Sequence, residues 1–200
     1  MTATRILACL AALAALGFYL GPHRTLAADE AELARIATVI AGRDVGISCP
    51  GTLASLTEAS AQDGSVAFSS EGKPADEAKL SSDTCSKLRS LLHGGVAGLD
   101  CLARHGACPV DVREAAIAVN VLSHEAWHLA GVRDEAVTQC YALQTNAETA
   151  MRLGAGVTDA QAIASFIVRE IQPVLPADYR SSDCFDGGPL DLQPERPSWP

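Results

Sequence analysis

The sequence predicts an α+β domain that is predominantly helical, contains only a small sheet and is stapled by disulfide bonds. Apolar residues recur at helical spacing through most of the chain between residues 28 and 172. Only two short segments combine β-branched or aromatic residues with flanking turn formers. Six cysteines lie downstream of an apolar N-terminal run, and an even number of cysteines is typical of disulfide pairing in exported proteins.

The first 27 residues predict a cleaved secretory signal peptide. A short basic start, MTATR, precedes an apolar run of 15 residues, and Thr25 and Ala27 have the spacing that signal peptidase recognises. The run is shorter than the roughly 20 apolar residues that a membrane-spanning helix needs. We therefore expect a mature domain of residues 28–200, secreted or on the exterior of the cell envelope and without membrane insertion. An uncleaved N-terminal membrane anchor is the alternative.

The mature chain is predicted to open with a helix and two strands. The segment ADEAELARIATVIAG, residues 28–42, begins with acidic residues and places Leu33, Ile36 and Ile40 at helical spacing. The segments DVGISC, residues 44–49, and GSVAFSS, residues 64–70, are the only plausible strands. The sheet is therefore expected to be small.

A capped helix and then a cysteine-bounded loop follow the strands. The segment SSDTCSKLRSLLHGG predicts a helix that is capped by Ser81 or Ser82 and that ends at Gly94. The segment DCLARHGACP, residues 100–109, is predicted to be a loop. Pro109 suits the first turn of the helix after it.

A central helix is predicted over about residues 110–129. Its segment VDVREAAIAVNVLSHEAWHL is apolar over much of the helix surface, which is typical of a helix packed on several sides. Gly131 is expected to end it, and a second helix is expected to run from Asp134 or Glu135 to Gly154.

A third helix and a loop-rich tail complete the predicted domain. The segment TDAQ, from Thr158 to Gln161, has the pattern of a capping box, and the helix is expected to end before Pro173. From about residue 173 the chain is rich in Pro, Gly and Asp, which predicts a loop. Cys184 is expected to tether this tail to the body.

Charge and cysteine usage limit the partners and the compartment. The formal net charge is −9, and removal of residues 1–27 takes away Arg5 and Arg24 but no acidic residue. No cluster of Lys and Arg is present to bind nucleic acid or an anionic membrane surface. No C-x-x-C pair is present either, so three disulfides are expected rather than a cysteine zinc site. Their pairing is left open among Cys49, Cys85, Cys101, Cys108, Cys140 and Cys184.

The segment SHEAWHLAGVRDEA, residues 123–136, contains the chemistry of the chain. His124 and His128 are four residues apart, so both imidazoles lie on the same face of a helix, where they can hold a metal ion. Glu125 can take a proton from a water molecule and pass it to a leaving amine. The segment therefore predicts one zinc ion per chain, with Glu125 as the catalytic general base.

On the residues HEAWH and the acidic residues behind them, the sequence resembles the zincin metallopeptidases. The resemblance covers about Val119 to Gln144. It implies a zincin-like domain with a small mixed sheet and with the motif on the active-site helix. It also implies a zinc-dependent peptidase that hydrolyses peptide or protein substrates.

Two residues are alternatives for the third zinc ligand. The run HEAWHLAGVRD is similar to metzincins, and in that arrangement the third ligand would be Asp134. Metzincins also have a methionine in a tight turn downstream, but the only mature methionine here, Met151, lies in a predicted helix. Asp134 also suits the start of a helix, where capping is its commonest use. A gluzincin-like arrangement would use Glu135, seven residues after His128. We favour Glu135 and keep Asp134 as the alternative.

The remaining polar and aromatic residues give weaker signals. Trp127 is expected to pack in the core beneath the site. Asn120 is expected to be solvated rather than bonded to a metal ligand. Tyr179, His93 and His105 are candidates to stabilise an oxyanion, and none is assigned to the catalytic set.

A non-catalytic role is the alternative function. A disulfide-stabilised metal-binding or envelope-interaction domain would keep the metal site without turnover. The short chain favours this alternative, because little sequence remains to build a long substrate cleft.

Overall fold

A computed structural model describes residues 26–50, 63–104, 108–196 and 199. It confirms the predicted α+β, mostly helical, disulfide-stapled fold. Its helices and strands, in chain order, are α1 (26–41), β1 (Gly46–Ser48), β2 (Gly64–Phe68), β3 (Pro74–Leu80), α2 (Ser82–Leu92), α3 (Val110–Leu129), α4 (Glu135–Arg152) and α5 (Val157–Phe166). The predicted signal peptide lies almost wholly outside the described residues. No helix in the described part of the chain is long and apolar enough to cross a membrane.

The three strands form one mixed sheet in the order β1-β3-β2. Strand β1 runs parallel to β3, with Ile47 opposite Ala78, and β2 runs antiparallel to β3, with Val66 opposite Ala78. The expectation of only two strands was wrong, because the central strand β3 has the unpromising sequence PADEAKL. Its Ala78 and Leu80 are buried while the charged residues between and before them are exposed, so pairing on both sides outweighs low strand propensity.

Helix α3 lies at the centre of the domain, as its apolar sequence predicts. Buried residues occur on most of its surface, among them Val112, Val119, Leu122 and Leu129. It packs against α2, α4 and the sheet. A buried hydrogen bond of 2.8 Å between the hydroxyls of Ser123 on α3 and Thr149 on α4 fixes these two helices against each other.

The helix starts agree with the sequence in two places and differ in one. The Ser81 side chain caps α2 by accepting from Thr84 N, and Asp134 caps α4 by accepting from Val137 N. The predicted capping box at Thr158 was wrong. Helix α5 begins one residue earlier, at Val157, with Gly156 at the cap and no capping side chain.

The described residues contain three disulfide bonds, as predicted, which pair Cys49 with Cys85, Cys101 with Cys108, and Cys140 with Cys184. The first joins the segment after β1 to α2. The second closes the predicted loop, whose first half is a short 3₁₀ helix, Leu99–Ala103. The third ties the tail to α4, as expected of Cys184. The presence of three disulfides favours an oxidising environment.

The chain after α5 returns across the α3–α4 pair. It continues as a π-helical segment, Ile167–Ile171, and then as two short 3₁₀ helices, Gln172–Val174 and Ala177–Tyr179. This return places Tyr179 beside the histidines of α3.

Candidate metal centre

The two histidines of the motif occupy one face of α3 near its C-terminal end. His124 and His128 are only 6% and 5% exposed. Their ring centroids lie 4.6 Å apart, with the ring planes at 81°. One turn of helix thus presents both imidazoles to the same small volume, as their spacing predicts.

A tight reversal between α3 and α4 supplies a carboxylate to that volume. Gly131 has a φ of +103°, a conformation that glycine adopts without strain, and it lets the chain turn back after Leu129. Asp134 points into α4, where its carboxylate accepts a 3.0 Å hydrogen bond from Val137 N. Glu135, the next residue, points back towards α3. The structure therefore brings Glu135, and not Asp134, to the histidines.

The carboxylate of Glu135 lies against both imidazoles. Its Oε2 atom is 3.0 Å from His124 Nε2 and 3.3 Å from His128 Nε2. The potential ligand atoms of these three residues all lie within 4.8 Å of one another, so the group could hold a metal ion. No second group of histidine, cysteine and acidic side chains among the described residues meets this condition.

Protons on the far side of each ring leave the near side free for a cation. His128 Nδ1 is 2.7 Å from the carbonyl oxygen of Val132, and His124 Nδ1 is 3.1 Å from Gln139 Oε1. A neutral imidazole that donates from Nδ1 to such an oxygen directs the lone pair of its Nε2 atom towards Glu135. Three lone pairs in such proximity repel one another unless a cation or additional protons lie among them.

Distances and protonation states both suit a metal ion. Ligand atoms of a tetrahedral zinc ion with bonds of about 2.1 Å lie about 3.4 Å apart, close to the separations between Glu135 and the two imidazoles. Hydrogen bonding to His124, together with the nearby His128, holds the pKa of Glu135 below its ordinary value. Burial, together with His124, lowers the pKa of His128. An ionised carboxylate and a neutral imidazole are the forms that bind metal.

Glu125, the predicted general base, is buried beside the histidines without a partner for one of its oxygens. The residue is 5% exposed, and its Oε2 atom has no hydrogen-bond partner among the described residues. Burial raises the pKa of Glu125 to about 7; the negative charge of Glu135 adds to this rise and His124 opposes it. Buried polar atoms usually have partners, so an orphaned carboxylate oxygen indicates that a water molecule or ligand belongs there.

Gly64, at the start of β2, makes room for Glu125, and sequence reasoning did not find it. A Cβ atom at residue 64 would lie 2.7 Å from Glu125 Cγ and 2.8 Å from Oε1. Any side chain there would therefore displace the carboxylate. The available signal was a glycine opening a strand, which often marks a close approach of another group.

Tyr179 is the one oxyanion candidate that the structure brings to this site. Its ring stacks on the His124 ring, with centroids 5.5 Å apart and planes at 26°. Burial, followed by the negative charges of Glu135 and Asp178, raises the pKa of the phenol. The hydroxyl therefore stays protonated at neutral pH and can donate a hydrogen bond.

The two other oxyanion candidates are not placed at the site. His93 lies elsewhere, with its Nε2 atom 3.0 Å from Asp29 Oδ1. His105 lies outside the described residues.

The expectations for Trp127 and Asn120 were both wrong. Trp127 does not belong to the hydrophobic core. Trp127 is half-buried between α3 and α4, where its indole N–H donates to Thr145 and its ring packs on Tyr141. The expectation of a solvated Asn120 was wrong, because this residue is only 7% exposed and bonds to Gln139. Gln139 is in turn the hydrogen-bond partner of His124.

Two cavities flank Glu125. One, of about 310 Å³, is bounded by β2, by the three potential ligand residues and by Arg133, whose guanidinium lies 5.5 Å over the Phe68 ring. The other, of about 260 Å³, lies between α3 and the returning chain. Its apolar wall consists of Ile117, Val121, Ile171, Leu175 and Pro176. Both cavities open onto His124 and Glu125, so a bound molecule can extend to either side of them.

Comparisons with protein families, with curated proteins and with solved structures found no match. The resemblance to zincins therefore stays a prediction that depends on the motif residues.

Proposed function

We propose that this chain is an exported zinc-dependent peptidase in which His124, His128 and Glu135 bind one zinc ion and Glu125 is the general base. The observation that carries the proposal is the convergence of two imidazole lone pairs and one carboxylate oxygen beside a buried, partnerless carboxylate. A purely structural cluster would pair its polar atoms with one another. Here one carboxylate oxygen of Glu135 faces two imidazole nitrogens at once, and Glu125 Oε2 has no partner among the described residues.

The donor set favours zinc over other biological metals. Two imidazoles and one carboxylate form a ligand set that catalytic zinc sites use, and they leave a fourth position for a water molecule or substrate. Calcium and magnesium prefer oxygen ligands throughout. Zinc bound here would supply Lewis acidity and lower the pKa of a coordinated water to about 7.

Glu125 would move the proton that hydrolysis requires. Its carboxylate lies next to His124 in a buried position and has an oxygen free to accept a proton from water. The same group can then return that proton to the amine that leaves. The close approach of Gly64 restrains the carboxylate, so the acceptor is held in place before substrate arrives.

Tyr179 would donate to the oxygen of the scissile carbonyl. Its raised pKa keeps the hydroxyl proton, and its stacking on His124 places the ring at the edge of the cleft. A donor aimed at a developing oxyanion contributes about 10²–10³-fold to the rate. Replacing Tyr179 by Phe should lower kcat by that order while changing KM little.

A peptide suits the surroundings of this site better than a compact ligand. Strand β2 is an edge of the sheet among the described residues, and the free side of an edge strand can pair with an extended peptide. The cavity of about 260 Å³ is slightly smaller than a typical site for a drug-sized molecule, but its aliphatic wall can take an apolar side chain.

Replacing Glu125 by Gln is the decisive experiment. The variant should keep one equivalent of zinc, because Glu125 is not among the three grouped residues, and should lose hydrolysis of a peptide library. Glu148, an exposed carboxylate paired with Arg152, provides the matched control when changed to Gln. Undiminished hydrolysis in the Glu125 variant would exclude its role. One equivalent of zinc with no cleavage by the wild-type protein would favour the non-catalytic metal-binding domain instead.

A further inference from the structure

Four side-chain amides lie behind His124, on the side away from Glu135. They come from α3, α4 and the segment after α5, and three of them are at most 7% exposed. We call this set the amide relay; its members are Asn120, Gln139, Asn146 and Gln172. The proposed function assigns them no role, yet burial of so many polar groups is costly unless they are paired, and of the relay atoms Asn146 Oδ1 is buried without a partner among the described residues.

At one end of the relay, a backbone carbonyl fixes which end of the Gln172 amide is nitrogen and which is oxygen. Gln172 Nε2 donates to the carbonyl oxygen of Tyr179 at 3.3 Å, and a carbonyl can only accept. Gln172 therefore turns its Oε1 atom towards Gln139, which donates from Nε2 at 3.0 Å. The nitrogen of Gln139 is thus directed away from His124, and its oxygen towards it.

The remaining hydrogen bonds of the relay agree with this orientation, which the carbonyl of Tyr179 fixes. Asn120 Oδ1 accepts from Asn146 Nδ2 at 3.0 Å and from Gln139 Nε2 at 3.2 Å. Both N–H groups of Gln139 are therefore engaged with oxygen atoms. Turning this amide over would place oxygen against oxygen at two buried contacts.

We propose that Gln139 is a positioning residue that holds His124 in the tautomer protonated at Nδ1. The Oε1 atom of Gln139 lies 3.1 Å from His124 Nδ1 and can only accept, so the ring must donate there. His124 Nε2 then keeps its lone pair on the side of Glu135. The consequence for metal binding rests on the proposed zinc site, but the tautomer itself does not.

The second histidine gives an internal comparison. His128 Nδ1 donates to the backbone carbonyl of Val132, which cannot rotate independently of the chain. Only His124 depends on a side chain whose two ends could exchange. The relay also starts at the carbonyl of Tyr179, so the segment that carries this ring is bonded through Gln172 and Gln139 to His124.

Histidine NMR on the wild-type protein tests the tautomer directly. In protein stripped of metal at pH 9, where histidine is ordinarily neutral, the nitrogen shifts of His124 should report the proton on Nδ1. The His124 signals are assigned by their loss in His124→Gln. A proton on Nε2 would overturn the proposal whether or not the protein binds zinc.

Substitution of Gln139 tests the effect on the metal. Gln139→Met keeps the length of the side chain and removes the acceptor, so the His124 proton should move to Nε2 and zinc affinity, measured by competition with a chromogenic chelator, should fall about 10–100-fold. Gln144→Met is the matched control, because Gln144 lies on the same helix and bonds to Leu190 O and Leu192 N in the tail. Its zinc affinity should stay within about twofold of wild type.

A second variant covers the case in which Gln139→Met does not fold. Gln172→Met removes the fixed end of the relay at a half-buried position and leaves Gln139 in place, so zinc affinity should fall several-fold and a fraction of His124 should carry its proton on Nε2. Unchanged affinity and an unchanged tautomer in Gln172→Met and Gln139→Met would overturn the assignment of Gln139. A wild-type protein without measurable zinc affinity would defeat the proposed function, while the tautomer measurement would still decide on the relay.

Discussion

Replacing Gly64 by alanine tests whether the approach of β2 holds Glu125 in position. A Cβ atom at residue 64 would lie 2.7 Å from Cγ, 2.8 Å from Oε1 and 2.9 Å from Cδ of Glu125. Non-bonded carbon atoms prefer separations of about 3.5–4.0 Å, so the carboxylate or the strand must move. Glu125 is only 5% exposed and cannot shift freely. Overpacking of this kind costs about 1–3 kcal/mol of stability.

Urea unfolding of a double-mutant cycle measures this cost. With an m-value of about 2 kcal/mol per M, a loss of about 2 kcal/mol lowers the urea midpoint by about 1 M. In a Glu125→Ala background the three contacting atoms are absent, so Gly64→Ala should cost almost nothing there. The coupling free energy between the two positions should therefore be about 1–3 kcal/mol.

Gly156→Ala is the control for a general effect of removing a glycine. A Cβ atom there meets no atom within 4 Å, and the φ of Gly156 is −65°. Its effect should be below about 1 kcal/mol and independent of Glu125. An equal cost of Gly64→Ala in both backgrounds would refute the steric explanation of the Glu125 position.

Two further predictions concern the ligands and pH. Glu135→Ala should abolish zinc binding, whereas Asp134→Ala should keep the zinc and lose about 1 kcal/mol of stability because α4 loses its cap. Metal analysis after purification without chelators or affinity tags distinguishes the two variants. Retained zinc in Glu135→Ala would contradict the proposed ligand set. In metal-free protein the pKa of Glu125 rises from its ordinary value of 4.5 to about 7, so the folded state keeps a proton that the unfolded state releases as pH rises between these values. At about 1.4 kcal/mol per pKa unit, the free energy of unfolding should be unaffected by Glu125 below pH 4.5 and lower by about 3 kcal/mol above pH 7. Urea unfolding at pH 4 and pH 8 should show this loss in wild type and not in Glu125→Gln. The same pH dependence in both proteins would contradict the prediction.

The helices were predictable because their patterns are local. The apolar stripe of α3, the Ser81 cap and the glycine turn at residue 131 are all encoded within a few residues of the element that they define. Strand β3 was not predictable in this way. It begins with Pro74 and carries Asp76 and Glu77, and it forms a strand because β1 and β2 pair with its two sides.

The same difference between local and long-range contacts applies to the residues of the candidate site. His124, His128 and Glu135 lie within one helix–turn–helix, so spacing alone brought them together in the prediction. Tyr179 and Gly64 reach the site from distant parts of the chain, and no periodicity links them to the motif. Asn120 was expected in solvent because its burial depends on Gln139 and Asn146, which lie on a different helix.

The reversal at Gly131 affects how the potential metal ligands and Glu125 can change during evolution. The three potential metal ligands all lie between residues 124 and 135. The burial that raises the pKa of Glu125 depends in addition on β2, whose Gly64 lies about sixty residues earlier in the sequence. Mutations in the hairpin of β2 and β3 would thus change the surroundings of the Glu125 carboxylate without changing any of the three residues of the candidate metal centre. Mutations in the reversal would move Glu135 and would also change the pKa of Glu125, because the negative charge of Glu135 contributes to it.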